Sequence, residues 1–470
     1  MVVKRSPVLY ISFPLVIMIK STADTIAAIA TPIGEGGIAI IRVSGKEALS
    51  VADRMFEGKH PLSVAASHTV HYGRIVGLNR EYVDEVLCTV FRAPRSYTGE
   101  DVVEISCHGG LVITNRVLHQ ALCTGARSAE PGEFTLRAFL NGKLDLAQAE
   151  AVADLIHARS EKAREMSLHQ LEGGLSQIVR RIRTALLETL GLLELELDFV
   201  EDGYEFVDRG KAIALINSVI TDIDGLLSTK QEGRVLREGV RVVIAGAPNV
   251  GKSSLLNALL NEERAIVADV PGTTRDVIED SINIHGALFQ IADTAGIRAS
   301  SDAVEQEGVR RTRLKIENAD IVLLVSEAMR PVKNGSDPLL DGKNIIRVLN
   351  KADLAGDVPA IHGVNSAECR VSAKTGEGLA ELREKMFSTA LPNIGSQDTS
   401  GLVTNSRHIE ALERSRNHLL FAREGLNNSK SADLVSMDLM AGTKALAEIV
   451  GEVTSEEMLN SIFANFCVGK

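Results

Sequence analysis

The spacing of apolar residues changes character three times along this chain, and each change marks a domain. From Thr25 to about Asn141 apolar residues come in short runs between turns. They predict strands at Thr25 to Ala30, Ile38 to Val43, Ser67 to Ile75 and Glu85 to Phe91, and a helix at Leu111 to Leu122. This stretch, residues 21–141, reads as a mixed α/β domain of its own. From Leu144 the period is helical: Leu175, Ile178, Ile182, Leu186, Leu190, Leu193 and Leu197 recur at steps of three and four, on one face of a long helix. No proline lies between Pro131 and Pro248 and none follows Pro392, so both regions lack the residue that breaks helices. After Pro392 helices are expected around Ile409 to Phe421 and Leu434 to Val450. A last one follows Thr454, whose hydroxyl and Glu457 are expected to form a capping box.

Between the helical blocks, in 238–391, the pattern returns to buried strands at Val240 to Ala245, Leu288 to Ala292 and Ile345 to Leu349, with an amphipathic helix at Ser253 to Asn261. Each helical block, 142–237 and 392–470, is too one-sided to stand alone. The economical architecture is a multidomain α/β and α protein: an N-terminal mixed α/β domain, a discontinuous helical domain, and a third domain inserted into it whose ends leave close together.

The inserted stretch carries the clearest chemistry. Gly246-Ala247-Pro248-Asn249-Val250-Gly251-Lys252-Ser253 is a G-x-x-x-x-G-K-S loop between a strand and a helix, the context a phosphate-binding P-loop requires. Its backbone N–H groups, from Asn249 to Ser254, turn toward phosphate oxygens, and the helix N-terminus adds its positive end. Lys252 reaches the terminal phosphates, and Ser253 ligates magnesium. In Pro271-Gly272-Thr273-Thr274-Arg275-Asp276, a switch segment, Thr274 closes over the γ-phosphate and completes the magnesium shell. Asp293-Thr294-Ala295-Gly296 is a D-x-x-G whose carboxylate sits near the metal and whose glycine N–H senses the γ-phosphate. In Asn350-Lys351-Ala352-Asp353 the carboxylate accepts the ring N–H and the exocyclic amine of guanine, a pair adenine does not offer. Ser372-Ala373-Lys374 supplies a donor to the guanine carbonyl. Five elements in this order resemble the translation-factor class of GTPases. Ile297 departs from Ras-like enzymes, which hold a water-orienting glutamine there. Glu305 is a candidate for that task through a relay, or else an ordinary solvated helix residue. Asn249 is a candidate to help hold a monovalent cation in place of an arginine finger.

A length of 470 residues suits about three domains. The net charge of -11 argues against a generally basic nucleic-acid coat, although Arg180, Arg181 and Arg183 could contact phosphate locally. Composition neither requires nor excludes RNA. Cys88, Cys107, Cys123, Cys369 and Cys467 lie far apart, which suggests neither a disulfide framework nor a zinc pattern and makes a reducing, cytoplasmic compartment the simplest. No apolar run is expected to reach the length needed to cross a bilayer. Residues 1–20, with Lys4 and Arg5 ahead of an apolar run from Val8 to Ile19, look like a signal peptide with Ala28-Ile29-Ala30 as its cleavage signal. Cleavage there would remove the first strand, so they are read as a non-structural extension from an assigned start upstream of Met18. Glycines 34, 36 and 37 form a loop without the G-K-S lysine and are read as a turn.

Four stretches outside the GTPase motifs carry a further resemblance: Thr31 to Gly37 (TPIGEGG), Ser96 to Asp101 (SYTGED), Pro131 to Glu150 (PGEFTLRAFLNGKLDLAQAE) and Phe466-Cys467-Val468-Gly469-Lys470. With them, everything from Thr25 onward resembles the MnmE (TrmE) family of tRNA-modification GTPases. The resemblance implies a GTP hydrolase that acts as a homodimer with an FAD-binding MnmG-type protein, in a heterotetramer. Together they add a carboxymethylaminomethyl-type group at C5 of the wobble uridine in certain tRNAs. It implies that potassium, held by Asn249, Ala268, Val270 and Thr273, promotes pairing of two GTPase domains, and that Glu305 orients the attacking water. It also implies a folate-binding-like N-terminal domain that holds a formyl- or methylene-tetrahydrofolate, the one-carbon donor, at Arg42, Glu104, Lys143 and Lys470. Cations suit the folate's carboxylates and a carboxylate suits the aminopyrimidine edge, while each residue alone reads as a surface ion pair.

Cys467 has three readings. As C-a-a-X it is poor, because Gly469 is not aliphatic and Lys470 is an unusual last residue. As a thiolate with its pKa lowered by Lys470 it adds to uridine C6. As a small residue it packs behind Phe466. The competing class is a ribosome-assembly GTPase of the Era or Der type, an RNA-binding switch. Era would require a KH domain after Pro392 and Der a second P-loop, and the sequence suggests neither. A structural GTPase that assembles through its helices would lack the folate site.

Overall fold

The computed structural model describes residues 24–77, 79–198, 208–262, 280–293, 313–329, 341–354, 367–392, 402–464 and 466–470. The chain divides into two compact units, one running to Ala153 and including Val450–Lys470, the other Asp154–Ile449. The signal-like stretch 1–20 lies outside the described residues.

The first unit is built on β1 (Ile26–Ile29), β2 (Ile38–Ser44), α1 (Ala48–Met55), β3 (Phe56–Gly58), β4 (Thr69–Val76), β5 (Tyr82–Phe91), β6 (Val102–His108), α2 (Leu111–Cys123) and β7 (Arg127–Ser128). The strands form one sheet in the order β3-β4-β5-β6-β2-β1-β7. Its ladders are antiparallel, apart from the parallel β1–β7 pair. Alternation decides its faces: Val86, Cys88 and Val90 of β5 and Val103, Ile105 and Cys107 of β6 are buried in one core with residues of α1 and α2, while Tyr72 and Leu87 are exposed. Two helices follow, α3 (Glu133–Leu140) and α4 (Leu146–His157).

The second unit begins with α5 (Glu161–Leu171), α6 (Gly174–Asp198), α7 (Arg209–Ser228) and α8 (Lys230–Glu238). On α6 the buried face is Leu175, Val179, Ile182, Leu186, Leu190 and Leu193. Val179 thus takes the place expected of Ile178, which is half-buried, because steps of four, three, four, four and three keep the stripe straighter on a 3.6-residue turn. The sheet of this unit comes from β8 (Val240–Gly246), α9 (Lys252–Glu262), β9 (Asp280–Ile284), β10 (Ala287–Asp293), β11 (Ile321–Glu327), β12 (Asn344–Asn350), β13 (Ala367–Arg370) and α10 (Leu379–Ala390). Its strand order is β13-β12-β11-β8-β10-β9. All pairs are parallel except the β9–β10 hairpin. Because β8 lies between β10 and β11, the order reverses at β8, and an open α/β sheet binds its ligand outside the carboxyl ends at such a point.

Two long helices, α11 (Ser406–Asn427) and α12 (Ala432–Val450), complete the unit. Against the expectation of no spanning run, the stretch Arg209–Glu238 is long and apolar enough by composition to cross a membrane. Its apolar residues are used within the fold. Ala212, Ile216, Val219, Ile220, Ile223 and Leu226 are buried on α7, which packs along α11 and is tied to it by the Arg416–Asp224 pair.

The last helix, α13 (Glu456–Phe463), returns the chain to the first unit. Its N-cap is Ser455, which accepts from the Met458 N–H, and not Thr454. The expected capping box is therefore not made: with the cap one residue later, the N3 position holds Met458 and Glu457 falls at N2. Leu459, Phe463 and Phe466 close a core with Leu136, Leu146 and Ala149. Beside this core, Arg137 is buried at 2% side-chain exposure and paired with Asp24, Glu100 and Glu133. Burial pushes the Glu133 carboxyl up, but hydrogen bonds from Arg127 and Arg137 leave it below its ordinary value.

Candidate functional site

The phosphate loop follows directly from β8, whose Val240, Val242, Val243 and Ile244 are buried. At its far end Gly251 has φ +90°, where a side chain is strained, and an added Cβ would lie 2.3 Å from Asn350 Nδ2. Lys252 is buried at the start of α9, and its ammonium donates to the Gly246 and Ala247 carbonyls at 2.8 and 2.7 Å. These bonds hold the charge over the loop, where a polyphosphate would lie. Ser253 and Ser254 are exposed in the first turn, and Val250 is buried beneath the loop. Asp293 ends β10 level with Ile244 of β8, which sets its backbone beside the loop.

The segments expected to recognise the base converge on the same edge. Asn350, 2% exposed, donates to Val250 O at 2.9 Å and accepts from Ala373 N at 3.1 Å, joining the phosphate loop to the Ser372-Ala373-Lys374 turn. Lys351 donates to Asn249 O at 3.0 Å and is paired with Glu327 at the end of β11. Asp353 accepts from Ser372 Oγ at 2.7 Å, and the same hydroxyl accepts from Thr375 N at 3.2 Å. That leaves the carboxylate in a fixed orientation. Glu327 was not among the expected residues, although a carboxylate ending the apolar run Ile321 to Val325 was a signal that could have found it. Ala268, Val270, Thr273, Thr274, Thr294, Ala295, Gly296, Ile297 and Glu305 lie outside the described residues, as does the side chain of Asp293.

A second constellation forms in the first unit. Arg42 and Glu104 are opposite one another in the β2–β6 ladder, and the guanidinium donates to Glu104 Oε1 at 2.9 Å from Nε. Its Nη1 donates to Gly469 O at 3.2 Å, across 427 residues of chain. Arg42 also lies over the rings of Tyr97 and Phe134, and the Lys470 ammonium over Tyr97. Burial, and then the Arg42 charge, lower the Lys470 pKa from its ordinary value. The expected residues Arg42, Glu104 and Lys470 are thereby brought together. Lys143 is held on the adjoining loop, where it donates to Pro94 O at 3.1 Å. An anion with several carboxylates fits this cluster of cations, and Glu104 can accept from an amine-bearing edge.

Cys467 is exposed, and its carbonyl accepts from Gly132 N at 3.3 Å, which seats its backbone. Burial pushes the Cys88 and Cys107 thiols up to about 12 and about 11, which keeps both protonated at neutral pH.

Two families match consecutive stretches of the chain. Residues 25–143 match the family described as GTP-binding protein TrmE N-terminus, and residues 146–467 match the MnmE helical domain. A tRNA modification GTPase MnmE from Bacillus velezensis is 43% identical over 458 residues, covering 95% of this chain and 100% of that protein. The protein of the same name from Geobacillus thermodenitrificans is 45% identical over 459 residues, covering 95% and 99%. Among solved structures, the G domain of the T. maritima FeoB iron transporter is 30% identical over 32% of this chain and 98% of that one, with a TM-score of 0.25.

Proposed function

The chain belongs to the MnmE family of tRNA-modification GTPases, and from that premise we propose that it hydrolyses GTP to drive addition of a carboxymethylaminomethyl-type group at C5 of the wobble uridine of tRNA. It does so in the cytoplasm as a homodimer, joined with an FAD-binding MnmG-type protein in a heterotetramer. The observation that supports the GTPase part is the Asn350 tie, which joins the phosphate loop to the turn expected to read guanine.

In this reading Lys252 and the loop N–H groups grip the β- and γ-phosphates, and Asp353 with Ala373 reads guanine. Magnesium, held by Ser253 and Thr274, would neutralise charge on the phosphates. Potassium, held by Asn249, Ala268, Val270 and Thr273, would supply the positive charge an arginine finger gives elsewhere. Glu305 orients the water that attacks the γ-phosphorus; the bond to the bridging oxygen breaks, and GDP and phosphate leave. In the first unit Arg42, Lys143 and Lys470 would hold the carboxylates of a formyl- or methylene-tetrahydrofolate and Glu104 its aminopyrimidine edge. That group supplies one carbon. Cys467 is the candidate nucleophile toward uridine C6, against the simpler role of a tail residue behind Phe466.

GTP turnover in potassium and then in sodium, at equal ionic strength, tests the hydrolytic mechanism. A large rise in potassium is expected, and equal rates in both salts would remove the cation from it. Normal tRNA modification by a Cys467→Ser protein would remove the nucleophile.

A further inference from the structure

Two cations share one aromatic ring in the first unit. The Arg42 guanidinium carbon is 5.3 Å from the Tyr97 centroid and the Lys470 ammonium 5.7 Å from it, with Glu104 the carboxylate paired to Arg42. Two like charges gathered at one place repel, and a neutral π face is a group both can approach without a second carboxylate. Burial raises the Tyr97 phenol above its ordinary value, so the ring stays neutral.

The ring is also firmly placed. Its hydroxyl pairs with Thr135 Oγ1 at 2.8 Å. The loop that carries it is held by the Ser44–Thr98 hydroxyl pair at 2.7 Å, by Asn141 Nδ2 to Thr98 O at 2.7 Å and by Lys143 Nζ to Pro94 O at 3.1 Å. Lys470 belongs to the tail, which is also anchored by the Arg42 bond to Gly469 O, the Gly132 bond to Cys467 O and the burial of Phe466 in the core with Leu136 and Phe463.

We propose that Tyr97 is a positioning residue that sets Arg42 and Lys470 side by side for a carboxylate-bearing ligand and, through Lys470, seats the tail that carries Cys467. The ligand's identity rests on the folate reading above; the seating of the tail does not. Tyr97 acts through the two cations, and its ring face, not its hydroxyl, does the positioning.

The test uses the full chain as wild type, Tyr97→Phe and Tyr97→Leu, with a melting curve to confirm that each is folded. Tyr97→Met serves as the second non-aromatic variant if the leucine protein does not fold. Binding of 5-formyltetrahydrofolate is measured by calorimetry, and amide hydrogen exchange of 466–470 is followed without ligand. Tyr97→Phe is expected to stay within about threefold of wild type in both readouts. A non-aromatic variant should bind about tenfold more weakly and exchange its tail about tenfold faster, the size set by two lost cation–π contacts. Wild-type behaviour of the non-aromatic variant overturns the proposal, as does a phenylalanine variant as impaired as leucine. A wild-type protein that binds no folate removes the folate reading alone, and tail exchange then still decides whether Tyr97 seats the tail.

Discussion

Replacing Asn350 by alanine gives the sharpest test of how the nucleotide site is held. The side chain is 2% exposed and serves two loops separated by more than a hundred residues, donating to Val250 O at 2.9 Å and accepting from Ala373 N at 3.1 Å. Truncation leaves one buried acceptor and one donor without this partner. With one of them left unsatisfied, at about 1–3 kcal/mol, and the other rebonded to water, at about 1 kcal/mol, the two costs add. The loss is therefore about 2–4 kcal/mol, and it falls on preorganisation, since both loops must be reordered when GTP binds. At about 1.4 kcal/mol per tenfold, affinity should fall about thirty- to several-hundredfold. Titration of a fluorescent guanine nucleotide at fixed magnesium and potassium measures this, with a melting curve on nucleotide-free protein to separate binding from unfolding. A folded Asn350→Ala protein whose affinity lies within about threefold of wild type would refute the reasoning.

Three other outcomes are expected. Asp353→Asn turns an acceptor of two guanine N–H groups into a donor beside Ser372 Oγ, so hydrolysis should shift from GTP to xanthosine triphosphate, read as the ratio of kcat/KM for the two. Arg137→Met removes the buried cation shared by Asp24, Glu100 and Glu133, of which Asp24 and Glu133 keep Arg127, and should destabilise the first unit by about 1–3 kcal/mol in urea unfolding. The same cluster sets an acid dependence. Burial raises but the arginines more strongly lower the carboxyls of Asp24 and Glu133, from ordinary values of 3.8 and 4.5. Their contribution is thus full above about pH 4.5 and is lost as the pH falls through the folded-state values, a loss that should shrink in the variant. Gly469→Ala puts a Cβ 2.2 Å from Ile29 O at φ +98°, which should free the tail, remove the Arg42 bond to Gly469 and weaken folate binding at least tenfold by calorimetry.

The parts legible in the sequence were those whose cause is local. A glycine-rich turn between an apolar strand and an amphipathic helix needs only neighbours to be recognised, and β8 with α9 formed within a residue or two of the expected bounds. The period of α6 was equally plain, although its buried stripe runs through Val179 and not Ile178, because two neighbouring apolar residues lie only about 100° apart on the helix and the packing settles which one is buried. The cap of α13 went to Ser455: Thr454 and Ser455 both carry hydroxyls, and it is Ser455 Oγ that accepts from Met458 N.

Contacts between distant residues have no such local sign. Arg137 stood inside a quoted motif with no role assigned to it, because nothing in its own helix announces that Asp24 and Glu100 will arrive beside it. Tyr97 likewise has no periodic partner; its cations come from a strand and from the tail. The phosphate loop between β8 and α9, the main strand and helix patterns and the family were legible in the sequence by itself. Only the tertiary structure decided that Asn350 ties two loops together and that the tail closes on Arg42 across 427 residues. The physical reason is that burial and hydrogen-bond satisfaction are properties of the assembled core, set by which segments meet, and side-chain spacing along one segment does not encode them.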